Sequence, residues 1–467
     1  MKLKYLLAAS VVSLSAAATI ATPVHAQTIT SGVEGTVTDE AGAVIADATV
    51  VVTDTRTNNT RETTTGSSGG FRVEALSPGG PYTVTITAPG FEGQTVENVF
   101  TNISGNTSFD FALSSQNAGN VIVVTGARAR VSQVAVGPGT AFDTQTLEAF
   151  PSITRDIRDI IRLDPRVSLE RSNDVDRISC LGGNDRSNTF TVDGIVQSDV
   201  FGLNGTPFAA RNSLPLPFDV IEQTSVEFAP FDVEFTDFTG CLVNVVTKAG
   251  TNEFHGSAFY TYFDSGLTAD EVTFENGFSE PIVADSEERW GVTLNGPIVP
   301  DRLFFSFGYE ETDLGSGFNQ GPAGSGAASE LDFVTQAQFD QFAQIANDVY
   351  GQDIGPIPAS LPETSVRYFG RLDAQINDRH RIVGTYQRLE ESNIEDDFGG
   401  DEFGGINSFE DEGTTSDTYS FQWYGDWSDT ISTELRLSRA EVTDVQGPFG
   451  FFEAQDENPT VRLAVGV

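Results

Sequence analysis

The sequence predicts a mainly β chain built from a leader segment, a small β-sandwich, an α+β domain and the first part of a transmembrane antiparallel β-barrel. Three observations point there. Residues 29–113 alternate apolar and polar in short runs spaced about ten residues apart, with Gly, Asn and Pro between them. Beyond residue 252, longer alternating runs rich in Phe, Tyr and Trp recur, joined by connections that are alternately short and long. Abundant glycine (46 residues), and 35 Phe against 10 Tyr, bias the composition further toward strands and tight turns.

The chain opens with Lys2 and Lys4, an apolar run from Leu6 to Ile20, and the small-residue pattern Val24-His25-Ala26. This reads as a secretory signal peptide over residues 1–26, cut between Ala26 and Gln27. No other stretch approaches the roughly 18 apolar residues of a spanning helix, so export leads to periplasm, outer membrane or medium. The full chain carries 26 Lys and Arg against 67 Asp and Glu, a net charge of −41, and the leader removes two lysines and no acid. Such a chain has no basic face for phosphates, which excludes nucleic acid as a partner. Its two cysteines, Cys180 and Cys241, suit a disulfide in an oxidising compartment. Closing that loop would stabilise by up to roughly 4 kcal/mol on the chain-entropy model.

Residues 27–114 form the expected sandwich, with strands in "GVEGTVTDEAG", "ATVVVTDT", "FRVEAL", "YTVTIT" and "FDFAL". Residues 115–135 are a polar linker around one β-branched strand, "VIVV" at Val121 to Val124. An unpaired strand of that kind is a liability unless another chain pairs with it. Over residues 136–250, Ile153, Ile157, Ile160 and Ile161 fall on one helical face, with Ser152 as N-cap and Pro165 just past the end. Strand-like "NTFTVDGIVQSD", "VIEQTSVEF" and "CLVNVVTKAG" complete an α+β domain. From 251 to 467, seven aromatic-rich strands are joined by short turns ("PIVPD", "NDRH", "SDT") and by long loops near 264–288, 311–365 and 390–416. That asymmetry favours a membrane barrel over a soluble sandwich. The second long loop carries a helix in "DFVTQAQFDQFAQIANDVYG".

Catalytic constellations are missing. Beyond the leader only His255 and His380 remain, neither in an HxxE or HExxH pattern, so no zinc hydrolase site is expected. "GSSGG" at 66–70 matches GxSxG around Ser68, but a strand rather than a helix follows, so it reads as a turn. The one lysine after the leader, Lys248, lacks the glycines of a phosphate-binding loop. The loop from Glu390 to Gly413 carries ten acids. Its spacing is not that of a calcium loop, and it reads as a solvated, self-repelling surface. No cofactor or metal is expected, and no enzymatic activity.

"NDRSNTFTVDGIVQSDVFGLN", followed by "VIEQTSVEFAPFDVEFTDFTGCLVNVVTKAGTNEFHGSAF", resembles the plug and first barrel strand of TonB-dependent outer-membrane receptors, nearest the Oar-like branch. "GPIVPDRLFFSFGYEE" is similarly family-like, and "GTVTDEAGAVIADATVVVTD" with "GGFRVEAL" resembles a carboxypeptidase regulatory-like domain. The resemblance implies a plug over 136–250, with Asp193 and Gly194 as its motif, and a partial barrel over 251–467. It also implies a TonB box at Val121, Ile122, Val123, Val124, Thr125 and Gly126, which would add a strand to the periplasmic domain of TonB. The implied partners are TonB with its inner-membrane energising complex, outer-membrane lipid, and a scarce large solute of the siderophore, cobalamin or oligosaccharide class. The implied location is the outer membrane, with the N-terminal domains in the periplasm. Barrels of this family close with about 22 strands, and the chain offers seven and ends in "VRLAVGV", so the sequence is expected to stop within the barrel. The rival reading is an adhesion protein whose sandwich and outer loops bind carbohydrate or matrix.

Overall fold

A computed structural model describes residues 30–103, 105–115, 122–124, 139–150, 152, 154–170, 177–197, 199, 206–211, 214–228, 240–267, 269, 271–273, 277, 279–281, 286–396, 402–428 and 431–448. The leader with Ala26 and Gln27, and Val121, Thr125 and Gly126, lie outside the described residues.

Seven strands make the sandwich: β1 (Ser31–Asp39), β2 (Thr49–Asp54), β3 (Thr60–Thr64), β4 (Gly70–Leu76), β5 (Gly79–Thr87), β6 (Gln94–Thr101) and β7 (Asn106–Leu113). One sheet runs β4-β1-β7, and the other β3-β2-β5-β6. Period-2 alternation decides what is buried, because successive side chains point to opposite faces. Tyr82, Val84 and Ile86 of β5 meet Phe109, Phe111 and Leu113 of β7 in one buried core. The polar strand β3 and the mixed strand β6 escape the sequence reading because their partners, rather than their own pattern, hold them. "GSSGG" forms the turn between β3 and β4, with Gly69 at φ +72°.

The linker strand finds a sheet. β8 (Ile122–Val124) lies parallel to β6, with Ile122 opposite Gln94 and Val124 opposite Val96. The free edge of β6 offers the same row of N–H and C=O groups that any added strand would use.

The α+β domain contains β9 (Gly139–Phe142), α1 (Thr144–Ala149), α2 (Arg158–Ile161), β10 (Val167–Glu170), β11 (Arg177–Cys180), β12 (Thr189–Val192), β13 (Ile195–Gln197), β14 (Ile221–Phe228) and β15 (Cys241–Thr247). Its main sheet runs β13-β12-β15-β14-β9, while β10 and β11 pair only with each other. The long helix expected from Ser152 is corrected to the single turn of α2. Arg155 sits at φ +56°, a left-handed conformation that interrupts a helix before it can start. Ser152 instead bonds Asp159 and the Asp156 backbone. The apolar face survives this correction: Ile157, Ile160 and Ile161 are all buried.

The third unit is one antiparallel sheet of seven strands: β16 (His255–Asp264), β19 (Ser286–Val299), β20 (Leu303–Gly317), β23 (Ser360–Asn377), β24 (His380–Glu395), β25 (Glu410–Ser428) and β26 (Ile431–Pro448). Its long connections hold the small hairpin β17 (Glu271–Thr273) and β18 (Ser279–Pro281), the pair β21 (Gln320–Ala323) and β22 (Ser329–Thr335), and α3 (Gln336–Tyr350). Thr335 caps α3 through a reciprocal box with Gln338, and Gly351 ends it at φ +66°. Strands run further into the loops than their sequence suggests, so the acidic loop is shorter. Glu390, Glu391 and Glu395 belong to β24, and Glu410, Asp411 and Glu412 to β25.

The two faces of this sheet meet different solvents. Phe307, Leu372, Phe421 and Leu437 point outward and are 38–56% exposed. Ser306, Glu310, Arg367, Arg371, Gln387 and Thr418 point inward and are buried. Aromatic rings mark a row on the outer face, with Trp290, Tyr309 and Tyr368 in consecutive contact and Tyr386 against Tyr419. On β25 the outward positions run from Tyr419 to Trp427, eight steps of about 3.4 Å that, once tilted by about 40°, rise about 21 Å and cover most of the roughly 25 Å apolar band of an outer-membrane barrel. An arginine at Leu372 or Phe421 is expected to cost about 2–4 kcal/mol, read from urea titration of barrel folding into bilayers. An unchanged folding free energy would place that face away from lipid.

Candidate functional site

The α+β domain lies against the polar inner face of the sheet, and the contact centres on the "VDG" turn. Asp193 and Gly194 join β12 to β13, at φ +48° and +73°. That is the left-handed pair a two-residue hairpin demands, and Asp-Gly supplies it. Asp193 is 3% exposed. Its carboxylate accepts the Thr247 N–H at 2.9 Å and the Thr247 hydroxyl at 2.6 Å. Arg371 of β23 approaches the same carboxylate at 3.6 Å. The Arg371 Nη1 also donates to the Thr247 carbonyl at 3.0 Å, while its Nε and Nη2 grip Asp373 at 2.8 Å each. From β25, the Gln422 amide donates to the Asp193 carbonyl at 2.6 Å. One turn is thus held by two strands of the wall.

Three further ties repeat the theme. Gln387 of β24 bonds Gln197 of β13. The Arg211 backbone donates to Glu391 at 2.8 Å, and its side chain pairs with Glu395 and Glu412. Arg155 bridges Asp219 at 2.6 Å and Glu310 at 3.3 Å, and its guanidinium lies 3.5 Å from the centre of the Phe259 ring. Glu310 in turn pairs with Arg367 at 3.2 Å and accepts the Phe218 N–H at 2.9 Å. Gly308 of β20 leaves room for this approach, since a Cβ there would fall 2.3 Å from Val220. Sequence reading missed these wall residues. Their only signal is an inward position on an alternating strand, and that signal names no partner.

The sandwich sits at the short-turn end of the sheet. Asn58 bonds Asp301 in the β19–β20 turn at 3.0 Å, Arg61 pairs with Asp426, and Arg381 donates to Ser77. Gln223 of β14 clamps the loop after β6 from both sides, accepting the Ile103 N–H at 3.2 Å and donating to the Thr101 carbonyl at 3.0 Å. Ile103 itself, 1% exposed, packs with Val246 of β15 and with Val383 and Tyr424 of the wall. One side chain therefore fastens all three units.

Cys180, at the end of β11, is bonded to Cys241, at the start of β15, with Cα atoms 5.9 Å apart. Beside it Asp185 is buried. One of its oxygens accepts the Ile178 N–H at 3.0 Å, and the other has no hydrogen bond among the described residues. Burial pushes its pKa up to about 6, against the pull of that N–H and of Arg158. Asp164 behaves oppositely. Hydrogen bonds from Arg166, and a further one from Thr140 of β9, hold it at about 2. Asp164 therefore contributes stability above about pH 4 that is lost as pH falls through about 2. For Asp185 the folded pKa is the higher one, so its contribution is complete below about pH 4 and lost as pH rises through about 6.

Two outcomes follow from this geometry. Asp193→Ala removes both acceptors of Thr247 and one of the two carboxylates beside Arg371, and is expected to cost about 2–3 kcal/mol, with faster native-state proteolysis of residues 139–250. Asp193→Asn, which can still accept from Thr247, should cost less. Asp185→Asn should raise thermal stability by about 1–2 kcal/mol at pH 7–8 and give no gain at pH 4. Melting curves across pH check this, and a uniform shift at all pH values would contradict it.

Residues 32–114 match the carboxypeptidase regulatory-like domain family, and residues 246–464 match the outer membrane beta barrel domain family. The TonB-dependent transporter Oar of Myxococcus xanthus is 25% identical over 376 residues, covering 75% of this chain and 33% of Oar. The chain thus spans about a third of the length of that curated relative. Among solved structures, the siderophore receptor PirA of Acinetobacter baumannii is 18% identical, with a TM-score of 0.44 over 65% of this chain and 40% of PirA. The outer membrane transporter YddB of Escherichia coli is 13% identical, with a TM-score of 0.47 over 66% of this chain and 39% of YddB. The two domain matches give the chain a carboxypeptidase regulatory-like domain followed by an outer membrane beta barrel domain, and over most of its length the chain is similar to the TonB-dependent transporter Oar.

Proposed function

We propose that the chain is the N-terminal portion of a transporter that moves a scarce large solute across the outer membrane by TonB-driven remodelling of its plug. The observation that carries this reading is the polar seam between residues 139–250 and the inner wall. A plug that must move needs contacts that water can replace, and hydrogen bonds exchange with water at a net cost of only about 0.5–1.5 kcal/mol each. The tie through Gln197 is of that kind, while those through Asp193, Arg211 and Arg155 are charge-assisted and worth about 1.5–3 kcal/mol each, with polar groups that water can still solvate. The docking of the sandwich on the short-turn side supports an orientation with the N-terminal domains in the periplasm, since short turns face that compartment in such barrels.

In this reading Val121 to Gly126 is the TonB box, and TonB receives it by strand addition. Ile122 to Val124 already pair with β6, so TonB must first release them from the sandwich edge. The solute belongs to the siderophore, cobalamin or oligosaccharide class, and the outward loops of plug and barrel would bind it.

The test is binding of the periplasmic domain of the cognate TonB to the detergent-solubilised receptor, with and without Val123→Pro. Proline removes one ladder donor and should weaken binding at least about tenfold. Equal binding by both forms would remove Val121 to Gly126 from the role. No binding by either would remove TonB.

A further inference from the structure

The load path through the plug is set by its one covalent cross-link. We propose that the Cys180–Cys241 bridge is a mechanical stop, which limits a pull on the N-terminal side of the plug to residues before Cys180 and keeps the wall ties of residues 181–240 off the covalent load path. The biological use of such a stop rests on the transporter reading above, whereas the stop itself follows from the fold.

Once β8 has left β6, a pull arriving along the linker meets β9, an edge strand among the described residues. Among the described residues it pairs on one side only, with β14, over four residues from Gly139 to Phe142. Next come α1, α2 and the β10–β11 pair, which forms a separate two-stranded sheet. None of this belongs to the central strands of the main sheet, and its release costs the burial of Ile157, Ile160 and Ile161 and the Arg155–Glu310 tie. At Cys180 the geometry changes. Tension crosses the bridge to Cys241, the first residue of β15. That strand is flanked on both sides, by β12 from Thr189 to Val192 and by β14 from Ile221 to Phe228. Its far end runs into β16 of the wall within a few residues. A pull from Cys241 toward the wall therefore loads β15 along its length, and its two ladders must shear together.

Residues 181–240 are bypassed. They hold Asp193, Gln197, Arg211 and Phe218, which fasten the domain to the wall together with Arg155 upstream of the bridge. With the bridge closed the covalent load path runs around this segment, and it receives force only through the ladder between β12 and β15. With it open, the next segments to be drawn out are the β12–β13 hairpin and its Asp193 turn.

The experiment is single-molecule pulling on the complete receptor in a bilayer, with a handle ligated upstream of Val121. It needs no TonB, so it stands apart from the binding test. Starting from a taut linker, the oxidised protein should release about 40 residues, roughly 14 nm of chain, and then stiffen. After dithiothreitol, or in Cys180→Ser/Cys241→Ser, a further release should follow. It is bounded by the 61-residue separation of the two cysteines, roughly 21 nm of chain. Thiol labelling of the unfolded protein confirms the state in each case, and reduction of the native chain serves if the double variant fails to assemble. Equal release in oxidised and reduced protein, or release beyond the first length with the bridge intact, overturns the proposal. The two-length result in a receptor that binds no TonB would keep the stop and discard the transporter reading.

Discussion

A buried carboxylate must be paired, and the pairing of Asp193 organises everything around it. Leaving an ion unpaired in the interior costs several kcal/mol, so the turn that carries Asp193 can settle only where donors converge. Thr247 at the end of β15 supplies two of them and Arg371 on the wall supplies the charge. Arg371 is itself held in place by Asp373 and by the Thr247 carbonyl. The arrangement fixes the rotation of the plug against the wall as well as its position, because Gln422 reads the same turn from a second strand.

The wall solves a two-solvent problem with one periodicity. Each strand must offer apolar groups to lipid and polar groups to the plug, and alternation lets neighbouring residues do both. Only a few inward apolar groups intrude. Phe369 and Leu389 join the core of the plug and anchor it without making the seam dry. A seam of this composition specifies one docking geometry.

The sandwich is no loosely tethered appendage. Gln223 and Ile103 tie it to plug and wall together, and Arg61 and Asn58 fasten it to the turns. Its β6 edge also holds the strand that a linker would otherwise expose. The same domain therefore stands at the mouth of the barrel and covers a sticky segment.

Much of this was fixed by local pattern. Alternation at Tyr82, Val84 and Ile86, the asymmetry of short turns and long loops, the Asp-Gly turn and the capped helix before Gly351 are all readable without a fold, because each depends on near neighbours in sequence. The tertiary structure decided what pattern cannot carry. It stopped a helix at Arg155, where hydroxyls and carboxylates capture the chain, and lengthened strands that draw their order from neighbours. It gave Val121 to Val124 a partner for its described residues within the chain, since a free edge accepts any strand in reach. Above all it chose which inward side chain meets which plug residue. Arg371, Glu310 and Gln422 are separated from their partners by more than ninety residues or bind across strands, and only folding brings such groups within reach of each other.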